Sequence, residues 1–419
     1  MAADVLPYDL YSDAPGILLN KPEWEEANAA HPSDFNFGST PKGWPSKFTG
    51  PEVWTGEYLE QNPDLYIKHL SEAEIADIDN AIKEWKKLAL PLSSISRANF
   101  ALPTAGPTLR QISQDIYKGI GIQLLRGFPI LKYTKEDQVI AFLGINVWIG
   151  RRLNQGAERG LCHIKSITHI DPAERGKIYV SAQDTNAQMY HSDAGGDIVG
   201  LMAVSLSGKG GASMIASAGA VYNALAESRP DIVRLLAERK FRWRANGIPD
   251  EGVRLIHEQD KQLFLNFSTR TFIGYGELPE RDTAFPALTF EEREAFGGWQ
   301  WVAEQLALKT ELQVGDIEWV NNLHHQHARR GFTEDITKPR HLLRVWLHDD
   351  ENSPKLPTDI RNKFDAMFSE EPTFFPVDEV EEDRWRRETG VFTGSCKPET
   401  ATERLENGGI EAVNAKVVR

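Results

Sequence analysis

MYHSDAGGDIVGL runs from Met189 to Leu201. A histidine stands two residues before an aspartate, two glycines follow, and then an apolar run begins. In an extended strand, residues i and i+2 point to the same face. His191 and Asp193 can therefore aim an imidazole nitrogen and a carboxylate oxygen at one point, at the mouth of a strand that reads as buried. A distant histidine would complete the two-histidine, one-carboxylate set that occupies one face of an octahedral Fe(II) and leaves the other positions open.

The spacing alone is weak, because it occurs at His169–Asp171, His191–Asp193 and His348–Asp350. Asp171 precedes Pro172 in a polar loop, which reads as a turn. His348 and Asp350 close the strand RHLLRVWLHDD just before a polar tail, which reads as solvent exposure. Only His191 and Asp193 lead into an apolar strand. The third ligand is expected in GDIEWVNNLHHQHAR (Gly315–Arg329), which offers His324, His325 and His327. If extended, His325 and His327 share a face and His324 opposes them. Three histidines this close could also hold zinc by themselves, but His324 would point the wrong way.

Outward from this stretch, short apolar strands follow one another: Ile178–Ser181, Ile198–Leu206, Ser213–Ser217, Phe241–Arg244, Leu263–Phe267, Ile317–Val320 and His341–His348. Helices interrupt them at 218–237 and 290–307. Upstream, a capping box at Ser71–Glu74 opens a helix over 72–88, and a second helix over 108–118 ends at Gly119. IGIQLLRGF (120–128) reads as a buried strand, and Thr134 opens a third helix. Many short strands with inserted helices predict a mainly β fold with helical buttressing, a sandwich or jelly roll.

The 419-residue chain carries a formal charge of −14, which repels phosphate backbones and anionic membranes, so nucleic-acid and membrane partners are not expected. The apolar stretch Val139–Gly150 is too short to span a bilayer. No secretory leader is read at the N-terminus, and Cys162 and Cys396 cannot build a disulfide framework, so a cytoplasmic location is expected.

Four blocks, YHSD, GKGGAS (Gly208–Ser213), GDIEWVNNLHHQHAR and RHLLRVWL (Arg340–Leu347), together resemble the TauD/TfdA family of Fe(II)- and 2-oxoglutarate-dependent dioxygenases, above all its fungal branch with an N-terminal extension. The resemblance implies a double-stranded β-helix, a jelly roll of the clavaminate synthase-like kind. It implies an irregular N-terminal arm (1–70), a catalytic domain (71–350) and a polar C-terminal extension (351–419). It assigns His191, Asp193 and His327 to the metal, with Fe(II), 2-oxoglutarate and O2 as the reaction partners. Ser213 and Arg340 would hold the far carboxylate of 2-oxoglutarate. Arg344 would lie near its other end or anchor the substrate, with Arg152 in reserve. Asn186, Gln188 and Tyr190 would line the substrate pocket. His325 would face the substrate or support the iron, and it is the alternative ligand to His327. Arg151 and His163 are either substrate anchors or solvated loop charges, and Trp243 and Arg244 could reach the site from a core strand.

Asn321 and Leu323 stand where the family often carries charges, which predicts a less polarised pocket. The implied reaction is oxidation of a C–H bond of a small polar metabolite, amino-acid-like or another small acid, by hydroxylation, desaturation or ring closure, in secondary metabolism. A taurine, alkyl-sulfonate or sulfate dioxygenase is the alternative. A non-catalytic small-molecule binder on the same jelly roll is the alternative from another class, and the set of His191, Asp193, His327, Ser213 and Arg340 argues against it. A zinc hydrolase or isomerase has no use for a dicarboxylate clamp at Arg340 and Ser213. A homodimer is compatible with this reading.

Overall fold

The computed structural model describes residues 21–156, 158–166, 181–183, 185–206, 208–243, 249, 251–269, 272, 285–367 and 370–389. Thirteen strands are found among them: β1 Ile67–His69, β2 Ile122–Arg126, β3 Arg151–Arg152, β4 Cys162–Lys165, β5 Gln188–His191, β6 Ile198–Ser205, β7 Ser213–Ser217, β8 Ile256–Gln259, β9 Gln262–Leu265, β10 Leu308–Thr310, β11 Ile317–Asn321, β12 His325–Arg329 and β13 His341–His348. A larger sheet runs β1-β2-β11-β6-β13-β3, with β4 also on β13, and a smaller one runs β10-β7-β12-β5. The two sheets form the mainly β jelly roll that the strand pattern predicts, and β8 and β9 form a separate hairpin.

Period-2 alternation sorts the side chains into layers. On β13, Leu343, Val345 and Leu347 face the helices Glu72–Lys87, Ala105–Lys118 and Lys135–Ile149, where they join Ile78, Leu109 and Phe142 in one core. Arg344 and Trp346 point the other way, between the sheets. The helix Lys135–Ile149 is apolar nearly all round because it is buried within this core. Its polar interruption Asn146 accepts the indole N–H of Trp319 at 2.8 Å, which satisfies a buried donor. On the outer face of the small sheet, Met214, Ala216 and Ala328 pack under the helices Ala218–Ser228, Pro230–Glu238 and Phe290–Leu306.

The capping box of Ser71 with Glu74 forms as expected, and a second joins Thr289 and Glu292. The single helix expected over 218–237 is two, because Arg229 leaves helical geometry (φ −140°) and Pro230 starts a new helix. The expected strand at Phe241 is one isolated bridge to Val253, and Arg244 lies outside the described residues, as do His169–Asp171, Ile178–Val180 and Cys396. After β13, helices Thr358–Met367 and Glu379–Thr389 pack on the body. Ile360 and Phe364 join Phe264 and Leu323, and Glu382 sits buried between Arg159 (2.6 Å) and Arg386 (2.7 Å). From the N-terminal arm, Trp54 and Tyr66 reach the apolar end of the space between the sheets. Among the described residues, no helix is long and apolar enough to cross a membrane.

Candidate active site

Between the sheets lies a cavity walled by residues of β5, β7, β11, β12 and β13. Its geometry begins with a defect in β5. His327 of β12 pairs with His191, but Arg329 pairs with Gln188. Two steps on β12 match three on β5, a bulge that puts Gln188 and His191 on one face. Tyr190 is thereby turned to the outer face, where its hydroxyl donates to Glu304 at 3.0 Å. The expectation that Tyr190 lines the pocket is corrected by this bulge.

β5 stops at His191, so His191 and Asp193 straddle a strand end instead of sharing a strand. The extended course is kept by Phe267, which accepts from the Ser192 N–H at 2.8 Å. Asn322 then holds the turn: its Oδ1 accepts from the Asp193 N–H (2.7 Å), and its Nδ2 donates to the carbonyls of Asp193 (3.1 Å) and Gly196 (3.0 Å). Gly196 has φ +79°, and a Cβ there would come within 2.9 Å of Trp346. One of the two glycines after Asp193 is thus required by left-handed backbone against a tryptophan.

The His191 Nδ1–H donates to the Met189 carbonyl at 2.7 Å, which leaves the Nε2 lone pair free. That Nε2 is 3.4 Å from Asp193 Oδ1, and His327 Nε2 is 3.5 Å from the same oxygen. Asp193 Oδ2 accepts from Trp346 Nε1 (2.7 Å) and Arg344 Nη1 (3.2 Å), while the buried Oδ1 has no donor. Burial opposes the charge on Asp193, but Arg344 and the two imidazoles outweigh it and hold the carboxyl well below its usual range. Burial also pushes His327 below its ordinary value, toward the neutral form that binds metals. A buried carboxylate oxygen without a donor, flanked by two imidazole nitrogens, fits a divalent cation of the Fe(II) type.

Arg340 lines the same cavity with 7% exposure, and its guanidinium has no hydrogen-bond or ion-pair partner among the described residues. Its guanidinium lies 5.5 Å from the ring centre of Phe332, and the Glu318 and Glu334 carboxylates act on its charge. Burial lowers it to about 10, which still leaves it charged at neutral pH. A buried, unpaired guanidinium fits the carboxylate of a bound acid. Ser213, also on the wall, donates to Glu318 Oε2 at 2.8 Å.

A second group, His163, His341 and Glu379, also clusters. There the two rings are hydrogen-bonded directly at 2.9 Å, and Lys165 already sits 2.6 Å from Glu379. It is a proton-shared network, with its cation supplied by lysine.

The family model described as "Taurine catabolism dioxygenase TauD, TfdA family" matches residues 86–346. The chain belongs to the TauD/TfdA family. It is 33% identical over 326 residues to the "Taurine hydroxylase-like protein SAT17" of Stachybotrys chartarum, covering 75% of this chain and 83% of that one. It is 24% identical over 331 residues to the "FR-33289 synthase" of Streptomyces rubellomurinus, covering 74% and 93%. The fold matches the crystal structure of an asparagine oxygenase with Fe(II), 3-hydroxyasparagine and succinate, with a TM-score of 0.51 and 16% identity over 70% of this chain and 98% of that one. As a family member, the protein is a non-haem iron, 2-oxoglutarate-dependent dioxygenase.

Several expectations for this TauD/TfdA enzyme are revised by the geometry. His325 shares the inward face of β12 with His327, but its ring stacks on Trp54 (5.3 Å, 18°) at the apolar end, off the cavity wall. Burial drops it to about 3, and it is outside the metal group. His324 faces away and contacts the Leu263 carbonyl at 2.7 Å, so three histidines do not converge. Asn186 is exposed and off the wall, and its carbonyl accepts from Arg329. Arg152 is committed to the carbonyls of Ser93 and Ile95, Arg151 faces Asp350 at 3.6 Å, and Trp243 packs edge-on to Phe272. Asn321 bonds the Ile116 carbonyl and Leu323 packs against Phe264, so neither bears on pocket polarity. Glu318, Arg329 and Trp346 were not anticipated. Trp346 was readable as Arg344 plus two on one strand. Glu318 was readable as a charge between Ile317 and Trp319 in a strand buried throughout.

Proposed function

We propose that His191, Asp193 and His327 bind Fe(II), that Arg340 and Ser213 receive the far carboxylate of 2-oxoglutarate, and that the substrate is a small amino-acid-like acid. The observation that carries this reading is one cavity holding a donor-free carboxylate oxygen between two imidazoles and, beside it, a buried unpaired guanidinium. With iron bound, the site supplies oxidative decarboxylation of the cosubstrate coupled to oxidation of a C–H bond. The chain's part is placement. Met189 sets the His191 tautomer, Trp346 and Arg344 hold the second oxygen of Asp193, and the sheets exclude water. Arg344 is tied to Asp193 and Gln155, yet its Nη2 is buried without a partner and can take one further acceptor. Apolar walls at Leu201, Leu312 and Leu342 suit a modest aliphatic substrate. The asparagine oxygenase structure, with its hydroxylated amino acid, supports the same class. The name of the 33%-identical relative favours a sulfonate as the second reading.

His191→Ala, Asp193→Ala and His327→Ala should each abolish stoichiometric Fe(II) binding, measured by anaerobic metal titration. Retention in His327→Ala with loss in His325→Ala would reverse the ligand assignment. For the substrate, succinate release is compared across free amino acids, taurine and an alkyl sulfate. Release driven by an amino acid is expected; release driven only by taurine or the sulfate sinks the amino-acid reading and leaves the metal assignment standing.

A further inference from the structure

The roles above leave Glu318 without a task. It is 1% exposed, on β11, and its side chain lines the cavity. Its two oxygens accept from Ser213 Oγ and Thr310 Oγ1, both at 2.8 Å. The charged and titratable groups around it come from every neighbouring element. Arg340 precedes β13 and has no hydrogen-bond partner. Arg329 on β12 is held by the carbonyls of Ala182 and Asn186. Asp316 at the start of β11 is neutralised by Arg126 on β2 at 2.8 Å. Tyr66 lies just before β1, and Glu334, between β12 and β13, acts on Arg340 with a carboxylate that has no hydrogen-bond partner. Arg340 is thus the cation here that makes no side-chain hydrogen bond or ion pair among the described residues.

Resting on the proposed seat of 2-oxoglutarate at Arg340 and Ser213, we propose that Glu318 is a positioning residue. It takes up a proton when the cosubstrate binds, and it thereby turns the Ser213 hydroxyl toward the cosubstrate carboxylate.

Two observations carry this. First, a hydroxyl has one hydrogen to give. In the free protein Ser213 gives it to Glu318, so it cannot also donate to a bound carboxylate. Once Glu318 is protonated, its O–H donates to Ser213 Oγ and the serine hydrogen is released toward the cosubstrate. Thr310 keeps its bond to the other oxygen. One proton enters from solvent, and no bond between heavier atoms changes. Second, a bound cosubstrate carboxylate joins Glu318 and Glu334 around the Arg340 guanidinium, and carboxylates crowded about one buried cation cannot all remain ionised. Glu318 is the one that competes with the cosubstrate for the Ser213 hydrogen, so Glu318 is the one that takes the proton. Burial already pushes the Glu318 carboxyl above its usual range, against its two hydroxyl donors and Arg340.

Cosubstrate binding raises the Glu318 pKa, so affinity is flat below the free-protein value and falls about tenfold per pH unit above it. The test is calorimetric titration of 2-oxoglutarate into Mn(II)-loaded protein without O2. It is run between about pH 6 and pH 9, in buffers of different ionisation enthalpy. Wild type should take up a proton fraction that climbs toward about one per chain as pH rises. Glu318→Gln should bind without uptake and with a flat pH profile, because its amide donates to Ser213 as the protonated acid does. Binding by wild type with no uptake at any pH overturns the inference alone. So does a Glu318→Gln variant that keeps the uptake, or one that folds but no longer binds. Wild type that does not bind 2-oxoglutarate overturns the proposed function with it. Should Glu318→Gln fail to fold, infrared difference spectra of wild type decide. A protonated-carboxyl stretch appearing on binding supports the inference, and its absence overturns it.

Discussion

Arg340 combines near-complete burial with a guanidinium that has no hydrogen-bond or ion-pair partner among the described residues. Glu318 and Glu334 offset part of that cost, and an arriving anion offsets more. Arg340→Ala should therefore weaken 2-oxoglutarate binding by about 2–5 kcal/mol, the range for truncating one side of a buried charge pair. Ser213→Ala should cost less, about 0.5–1.5 kcal/mol. Both are read by titrating the visible band that 2-oxoglutarate produces on the iron-loaded protein without O2. Unchanged affinity in Arg340→Ala would move the clamp elsewhere, with Arg344 the next candidate. The same scale shows what one residue type can announce. Four blocks in fixed order, carrying histidines, an aspartate and two arginines, implied the chemistry through their resemblance to a family. Gln155, which holds Arg344 Nε at 2.9 Å, carries no such mark and is found only by contact.

Among elements, β5 and the last described helix depart most from a pattern reading. Strict alternation puts Gln188 with Tyr190 on one face; the bulge puts Gln188 with His191 instead. Nothing in QMYH itself encodes the extra residue, because a register is a property of two strands. The helix Glu379–Thr389 reads as mixed-charge surface, yet Glu382 is 1% exposed and Arg386 0% exposed. Burial pushes the Glu382 carboxyl up, and Arg386, Arg159 and His163 overcome this and bring it down to about 2. Its ordinary value is 4.5, so the stability it contributes is fully present above that pH and is lost as pH falls toward about 2. Glu382→Gln removes the charge that the two buried guanidiniums share and should cost about 3–5 kcal/mol. Urea unfolding at neutral pH measures the loss, and acid titration of the variant should show a shallower decline than wild type. Equal urea midpoints would mean the pair is not buried in solution.

Across the whole molecule, the C-terminal segment is connected to the site by contacts that can be followed one by one. Glu382 binds Arg159, Arg159 and Gln155 are joined by backbone at 2.7 Å, Gln155 binds Arg344, and Arg344 binds Asp193. Deleting residues 351–419 should therefore do more than shorten the chain. It should lower the melting temperature and weaken Fe(II) binding together, because Arg159 loses its counter-charge four residues from Gln155. A truncated chain that binds Fe(II) as wild type does would show that the site is independent of this segment.

Strands β2, β6, β7, β9, β11 and β13, the helices over 72–88 and 108–118, and His191, Asp193, His327, Ser213 and Arg340 as candidates were legible in the sequence by itself. The elements rest on local rules, two-residue alternation or a cap three residues from its acid, whereas the choice of His327, Ser213 and Arg340 rests on the family resemblance. What only the tertiary structure decided is which of several equivalent candidates meet. His325 and His327 share a face, yet one stacks on Trp54 and the other reaches Asp193. Arg152, half-buried, and Arg344, buried, are both arginines on strands, yet one ends on backbone carbonyls and the other on Asp193. Distances between strands far apart in the chain depend on how both sheets and their helices pack at once. No window of sequence carries that sum, so convergence on Asp193 Oδ1, the bulge beside it and the buried Glu318 emerge only in the folded molecule.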